Sequence, residues 1–510
     1  MSYQKKTIIL IIVFTVFRLL FASALELNAD ESYYWTFASH LQWNYFDHPP
    51  MVAWLIRITT LNLHLNTELA VRSGAIISSA ICTWLIFKIG EQVNNSLTGW
   101  YAAVMYTASI YCSLIAAAYI IPDSPQMVFW LGSIFILLKI FLKADKKIST
   151  NLLWCKFGLL CGLCIMCKVH GIFIWLGAIL YILIFDRSWL KNRSLYVAAL
   201  ITLIVISPII IWNIQHDFIT YRFHSSRVSV AGAIVNLKQF AKLIVEIISI
   251  NNPFNIFLII TSISLIAKGK MRDQQKTTRV LLLCSAPLII FILVISVFRE
   301  TFPHWSSPAF STLFILPAIM LANKFEEKKK FLPTSLKWAL AYTLFIGTIT
   351  ILTINYFPGT LSKNKEGMKF GADDTTLDTY GWRSAAAKFD SLYRSDVAKK
   401  IMPANASIIA TNWAPASNIE FYFTPLTHQQ VIGIGDFSNL HQYYFTNHYK
   451  KPLMPGDDAY YIISSNEFYY SGFNAVAGRF KTYSYPLVIL QYRSQGLCKK
   501  VYVFRFKGYR

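Results

Sequence analysis

Two adjacent carboxylates, Asp30 and Glu31, follow an apolar run at the start of the chain, and a second polar corner, Asp47-His48-Pro49-Pro50, comes seventeen residues after Asp30. A carboxylate in such a loop can act as a general base and take the proton from an acceptor hydroxyl or amine. The plainer alternative is a solvated first turn of an interfacial helix, where acids favour the helix dipole. His48 could donate to a phosphate, with Asp47 orienting it or binding sugar hydroxyls. Equally, Asp47 could be an ordinary capping residue before a Pro-initiated helix. Tyr33, Tyr34, Trp35, Phe37, Trp43, Tyr45 and Phe46 lie between the two corners. Those residue types suit the headgroup level of a membrane.

Further polar corners recur along the chain. Asp123 sits between two prolines in Tyr119-Ile-Ile-Pro-Asp-Ser-Pro125 and could cap a helix or bind a sugar or a lysine. Lys168-Val-His170 could hold a lipid phosphate, although snorkelling alone would account for the lysine. Arg222, His224 and Arg227 in one run, and Arg299 to Trp305 with His304 in another, interleave cations and histidines with aromatics. Each alone reads as an interfacial anchor; together they suit a phosphate or pyrophosphate headgroup. No Gly-rich nucleotide cradle, Walker sequence, zinc-spaced Cys/His set or serine elbow occurs. A nucleotide-sugar donor is therefore disfavoured, and an activated group carried on a lipid is favoured. No residue pattern calls for a metal.

The elements that must position these corners are membrane helices. The 510 residues are 55% hydrophobic and 15% charged, with a mean hydropathy of +0.43, outside the range of soluble domains. Apolar runs fall at about 7–25, 69–90, 98–117, 124–142, 152–168, 170–185, 195–213, 239–267, 280–298, 307–323 and 335–356. A span needs roughly 20 helical residues, so about eleven transmembrane helices are expected. The eighth run is interrupted by Asn251-Asn252-Pro253 and could include a helix lying in the interface.

The net charge of +22 sits mostly in short loops and the last third of the chain, a topology signal rather than a nucleic-acid groove. With the N-terminus inside, the inner segments 1–6, 86–97, 143–151, 186–193, 268–279 and 324–334 hold eighteen Lys and Arg, against six in the outer ones. That bias places the Asp30 loop, Asp123 and the tail outside. The first run lacks a small-residue cleavage site and reads as an uncleaved anchor. Residues 49–63 suit an amphipathic helix along the interface, and 32–40 a second short one. From residue 357 the composition changes. Short β-rich runs (Ser407 to Thr411, Gln430 to Ile434, Tyr460 to Ser464, Leu487 to Tyr492, Val501 to Phe506) and a helix-like stretch from Arg383 to Ala398 predict an extracytoplasmic α/β domain. Seven of the eight cysteines lie in or beside apolar runs, which leaves Cys498 alone in the tail. Cys161, Cys164 and Cys167 recur every third residue among Leu, Gly, Ile and Met, a helix-packing face rather than a metal face.

With these corners in place, the chain resembles the family-39-type glycosyltransferases. These include protein O-mannosyltransferase relatives and, as a bacterial branch, the lipid A aminoarabinose transferases. The resemblance rests on D-E-S-Y-Y-W…Y-F-D-H-P-P-M-V-A-W-L, P-D-S-P, K-V-H-G, I-W-N-I-Q-H-D-F and the H-W before Ser306, in order over most of residues 1–320. It implies a GT-C membrane domain over 1–356 and a periplasmic domain over 357–510. It also implies an undecaprenyl-phosphate-linked sugar as donor, no further cofactor, and inverting transfer outside the bacterial inner membrane to lipid A, another glycan or protein. By motif position Asp30 would be the base, supported by Glu31. Donor-phosphate contacts would come from Asp47, His48, Asp123, Lys168, His170, Arg222 and His304. His48 stands where the aminoarabinose branch has lysine. A lipid-linked glycan transporter or flippase is the competing reading; missing sequence repeats and acids gathered on one face weigh against it.

Overall fold

The computed structural model describes residues 1–142, 149–325 and 332–510. The basic segments 143–151 and 324–334, expected on the inner side, therefore lie partly outside the described residues. The chain divides into two compact units.

The first unit comprises Met1–Leu20, Trp43–Leu55 and Arg72–Gly347 and is helical. Among the described residues of the whole chain, eight helices are long and apolar enough to cross a membrane, nine if one sharply bent pair is a single span. The chain is thus a multi-pass membrane protein, but the eleven expected crossings are not matched one for one. Run 98–117 yields Ser96–Ala108, which stops at Ser109 and continues as one wide turn over Tyr111–Ile115. Run 170–185 yields only the shorter apolar helix Val169–Phe185.

Run 239–267 breaks into Leu237–Ile250 and Pro253–Ala267, bent by 99°. Its cause is local. Pro253 cannot supply a backbone donor, and Asn252 takes φ +76°, open to few residues other than Gly, Asn and Asp. The Asn252 side chain then knits the corner. Its Oδ1 accepts from Phe254 N–H at 3.0 Å, and its Nδ2 donates to the carbonyls of Ala108 (2.7 Å) and Ala339 (2.8 Å). Backbone broken at membrane depth is tolerated where protein groups resatisfy it.

The outer helices present apolar side chains outward. Ile8, Ile12, Val16 and Leu20 are exposed on Tyr3–Ala24. The polar Arg18 turns inward instead, donating from Nε to Ser113 O at 3.1 Å and from Nη2 to Ser113 Oγ at 3.2 Å. Cys161 and Cys164 are buried in Ser149–Cys167, with their thiols near Ser133 Oγ (3.7 Å) and Gln126 O (3.9 Å). They serve as a packing face.

The second unit comprises Phe21–Gln42, Ile56–Val71 and Thr348–Arg510. It contains a mixed six-stranded sheet: β1 Ser407–Ala410, β2 Val431–Gly433, β3 Ala459–Ser464, β4 Phe480–Tyr483, β5 Leu487–Arg493 and β6 Gly496–Tyr509. The path is β2-β1-β3-β6-β4, and β5 also pairs with β6. β1 runs parallel to β2 and β3, while β6 is antiparallel to β3, β4 and β5. Helix Trp413–Tyr422 connects the parallel pair β1 and β2, as a crossover must. Trp382–Ala398 forms the helix expected from Arg383 onward. Within this unit, Ala29–Ser39 is held on Trp413–Tyr422 by Ser32 Oγ donating to Asn418 Oδ1 (2.8 Å) and by Tyr33 packing on Trp413 at 4.8 Å.

Candidate functional site

In the first unit, five polar corners far apart in sequence meet. Asp123 opens Asp123–Leu142, preceded by the Pro122 that starts the turn. Lys168 stands where Ser149–Cys167 ends, and its Nζ donates to Asp123 Oδ2 at 2.7 Å, with both side chains almost wholly buried. Tyr111, carried on the wide turn, donates its hydroxyl to Asp123 Oδ1 at 2.9 Å. Gln126 Nε2 donates to Lys168 O at 3.1 Å and so ties the two helix ends together. Asp123 is therefore a partner of a lysine, one of the three roles its sequence context allowed.

Around this pair stand histidines. His304 and His224 are half-buried, and burial together with the neighbouring Lys168 and Arg227 pushes each down to about 4. His48 is pushed well down by burial first, then by His224 and Lys168. His224 Nε2 donates to the main-chain carbonyl of Asp47 at 2.7 Å, which fixes its tautomer and leaves Nδ1 without the proton. The His48 and His224 rings lie 6.1 Å apart, and His170 is 6.2 Å from Trp305. Arg227 lies over the rings of Trp305 (5.1 Å), Phe223 (5.4 Å) and Phe302 (5.7 Å). Cations on aromatic faces in a desolvated setting are worth about 2 kcal/mol each.

The common cause of these shifts is a positive local potential in a dry setting. A neutral imidazole there is a hydrogen-bond donor, and an entering anion would relieve the repulsion that keeps it neutral. Such a cluster has the charge and the donors to take an anion. Among the described residues no group of three or more His, Cys, Asp or Glu side chains is gathered closely enough to hold a metal ion.

Of the residues singled out from sequence, His48, Asp123, Lys168, His170 and His304 converge here, and Asp47 joins through its carbonyl. Arg222 does not: it is exposed on Ile219–Val228, and the cation that helix brings to the cluster is Arg227. The spacing within Tyr221 to Arg227 held that signal, because His224 and Arg227 are three apart and share a helix face. Tyr111 was hidden inside an apolar run.

The acidic pair lies in the second unit. Asn28 caps Ala29–Ser39, its Oδ1 accepting from Glu31 N–H at 2.9 Å while Glu31 Oε2 accepts from Asn28 N–H at 3.2 Å. Glu31 is thus buried as half of a capping box. Asp30 is exposed in the same first turn. Ala29 N–H donates to Asp378 Oδ1 at 3.1 Å, and burial, with the nearby Glu467 and Asp30 carboxylates, pushes Asp378 up to about 7.

Comparison with known proteins agrees with this architecture. Residues 47–212 match the family described as dolichyl-phosphate-mannose-protein mannosyltransferase. The solved structure of ArnT from Cupriavidus metallidurans in the apo state superposes with a TM-score of 0.63 over 98% of both chains, at 13% identity. The same protein bound to undecaprenyl phosphate gives 0.61 over 97% of both, at 12% identity. The chain shares the fold of that solved structure. Among curated proteins, the lipid A galacturonosyltransferase RgtD of Rhizobium johnstonii is 22% identical over 328 residues, 63% of this chain and 67% of that one. An undecaprenyl phosphate-alpha-4-amino-4-deoxy-L-arabinose arabinosyl transferase of Sodalis glossinidius is 26% identical over 134 residues, 26% of this chain and 24% of that one. The GT-C fold, a helical membrane portion with a small C-terminal sheet domain, is the one the motifs implied.

Proposed function

We propose that this protein transfers a single sugar from undecaprenyl phosphate to an envelope acceptor, lipid A in the first place, on the periplasmic face of a bacterial inner membrane. The N-terminus is then cytoplasmic, residues 1–356 carry the membrane portion, and residues 357–510 are periplasmic. The observation that carries this reading is the buried Lys168–Asp123 pair ringed by Arg227 and histidines held neutral. It supplies charge and donors for a phosphate. The relatives whose names specify lipid A and undecaprenyl phosphate support the donor and acceptor classes.

The reaction is a direct displacement. The acceptor hydroxyl oxygen attacks the anomeric carbon, the bond from that carbon to the phosphate oxygen breaks, and polyprenyl phosphate leaves with the electron pair, inverting the configuration. Asp30 receives the acceptor's proton. Lys168 and Arg227, with His48, His170 and His304 as donors, stabilise charge developing on the leaving phosphate, while His224 is held to the Asp47 carbonyl. Glu31 supports Asp30 by holding the first turn of its helix.

The test is transfer by purified protein from an undecaprenyl-phosphate sugar to lipid A, wild type against Asp30→Asn. Transfer by wild type with loss of at least a thousandfold in the variant, at unchanged melting temperature, is expected. Wild-type turnover by Asp30→Asn removes Asp30 from the role. Movement of the lipid-linked sugar across liposomes without any acceptor would replace transfer with transport.

A further inference from the structure

A cavity of about 400 Å³ lies wholly inside the second unit, at the C-terminal ends of Tyr3–Ala24 and Thr334–Tyr356. Asn355 Nδ2 donates to Ala24 O at 3.1 Å and closes its floor between those helix ends. Two buried polar atoms of lining residues have no partner among the described residues: Thr379 Oγ1 and Gln491 Nε2, in residues 6% and 3% exposed. An unsatisfied buried donor costs about 1–3 kcal/mol, so a ligand that completes both recovers a sizeable energy.

The lining also carries two cations, Arg383 and Lys388, and one carboxylate, Glu26. Lys388 Nζ donates to the carbonyl of Leu490 at 2.8 Å, and an ammonium carries three donors. Arg383 pairs with Glu68 through Nε at 2.7 Å and Nη2. Glu26 is already engaged, its carboxylate accepting from the N–H groups of Trp382 (2.6 Å) and Arg383 (3.1 Å) at the start of Trp382–Ala398. It therefore does not offer itself as a free acceptor to a ligand.

We infer that this cavity binds the phosphorylated sugar headgroup of a glycolipid, with Thr379 and Gln491 taking sugar hydroxyls and Lys388 the phosphate. A hydroxyl and an amide donor are the complement of vicinal hydroxyls, and the volume lies in the range that takes one small ligand. The lipid source follows from position: both helices that end at the cavity are long and apolar enough to span a membrane. The inference rests on the glycosyl-transfer reading in one respect, that it makes this headgroup the acceptor's.

The experiment uses full-length protein in detergent and measures binding of hexa-acylated lipid A, of glucosamine 1-phosphate and, separately, of undecaprenyl phosphate. Variants are Gln491→Leu, Thr379→Val and Lys388→Gln. Replacing an orphan buried donor by an apolar group of similar shape leaves the unliganded melting temperature unchanged or higher, so a folding defect is not the expected confounder. Each variant is expected to bind lipid A at least tenfold more weakly than wild type, and undecaprenyl phosphate equally. Comparable binding of glucosamine 1-phosphate supports recognition through the headgroup alone. Binding of the free sugar phosphate without lipid A overturns the membrane-side assignment. Wild-type-like lipid A binding by all three variants, or none by wild type, overturns the inference while undecaprenyl phosphate binding leaves the donor reading intact. Loss of undecaprenyl phosphate binding alone would remove the donor reading and leave the cavity assignment standing.

Discussion

Replacing Lys168 by methionine would leave the Asp123 carboxylate in a nearly dry site without its ion-pair partner, keeping the Tyr111 hydrogen bond and the nearby His304. At the 2.7 Å separation of the pair, the gross attraction is roughly 6 kcal/mol at an effective dielectric of about 20. Much of that offsets the cost of removing two ions from water, so the pair's net worth is small. Removing one partner is different, because the remaining charge keeps its desolvation cost; about 3–5 kcal/mol is the expected loss. On the scale of ~2 °C per kcal/mol for larger domains, the melting temperature should fall by roughly 6–10 °C. The double variant Asp123→Asn/Lys168→Met removes the stranded charge and should recover at least half of that drop. Binding of undecaprenyl phosphate, measured by titration in detergent, separates structure from function. The double variant should remain at least tenfold weaker than wild type although it is restored in stability. Wild-type affinity in the double variant would refute Lys168 as a phosphate ligand, and wild-type stability in the single variant would refute the buried pair.

Two further outcomes follow from the same geometry. Glu31→Ala should cost about 1 kcal/mol by opening the capping box, whereas Glu31→Gln, which can still accept from Asn28 N–H, should melt as wild type; equal losses in both would show that Glu31's charge rather than its cap is what matters. His224 and His304 titrate at about 4 when folded against an ordinary 6.5, so between those values the unfolded chain binds more protons than the folded one. Stability is therefore full above about pH 6.5 and lost as pH falls toward 4. Because both rings are half-buried, the loss is put at ~2 kcal/mol each rather than the full linkage value. A melting temperature that falls less from pH 7 to 4.5 in a His224→Gln/His304→Gln variant than in wild type is the expected result, with His48 left to carry the remaining fall, and parallel falls would contradict it.

Much of this site was legible because a charge in a long apolar chain is conspicuous. Asp123, Lys168 and His304 stood at the ends of apolar runs, where solvation or a partner had to be found for them. Tyr111 was not legible, since an aromatic inside an apolar run looks like core until the helix stops at Ser109 and opens into a wide turn. Arg222 and Arg227 are equivalent in composition, and only helical phase separates the exposed one from the one over Trp305. The tail's apolar strands were readable as β-rich runs. Edge strand β4 was not, because only Phe480 of Phe480–Tyr483 is buried and three exposed residues carry no alternation. Span counting from apolar length failed where polar breakers act: Ser109 and Asn251-Asn252-Pro253 turn apolar runs into bent or short helices that composition cannot distinguish from straight ones.

Mass spectrometry of envelope lipids from a strain lacking this protein, complemented with wild type or with Asp30→Asn, tests the central claim most directly. A lipid A species heavier by one sugar residue is expected with wild type and absent with both the deletion and Asp30→Asn. Identical lipid, glycan and glycoprotein masses in all three strains, with the variant protein folded in the membrane, would contradict it.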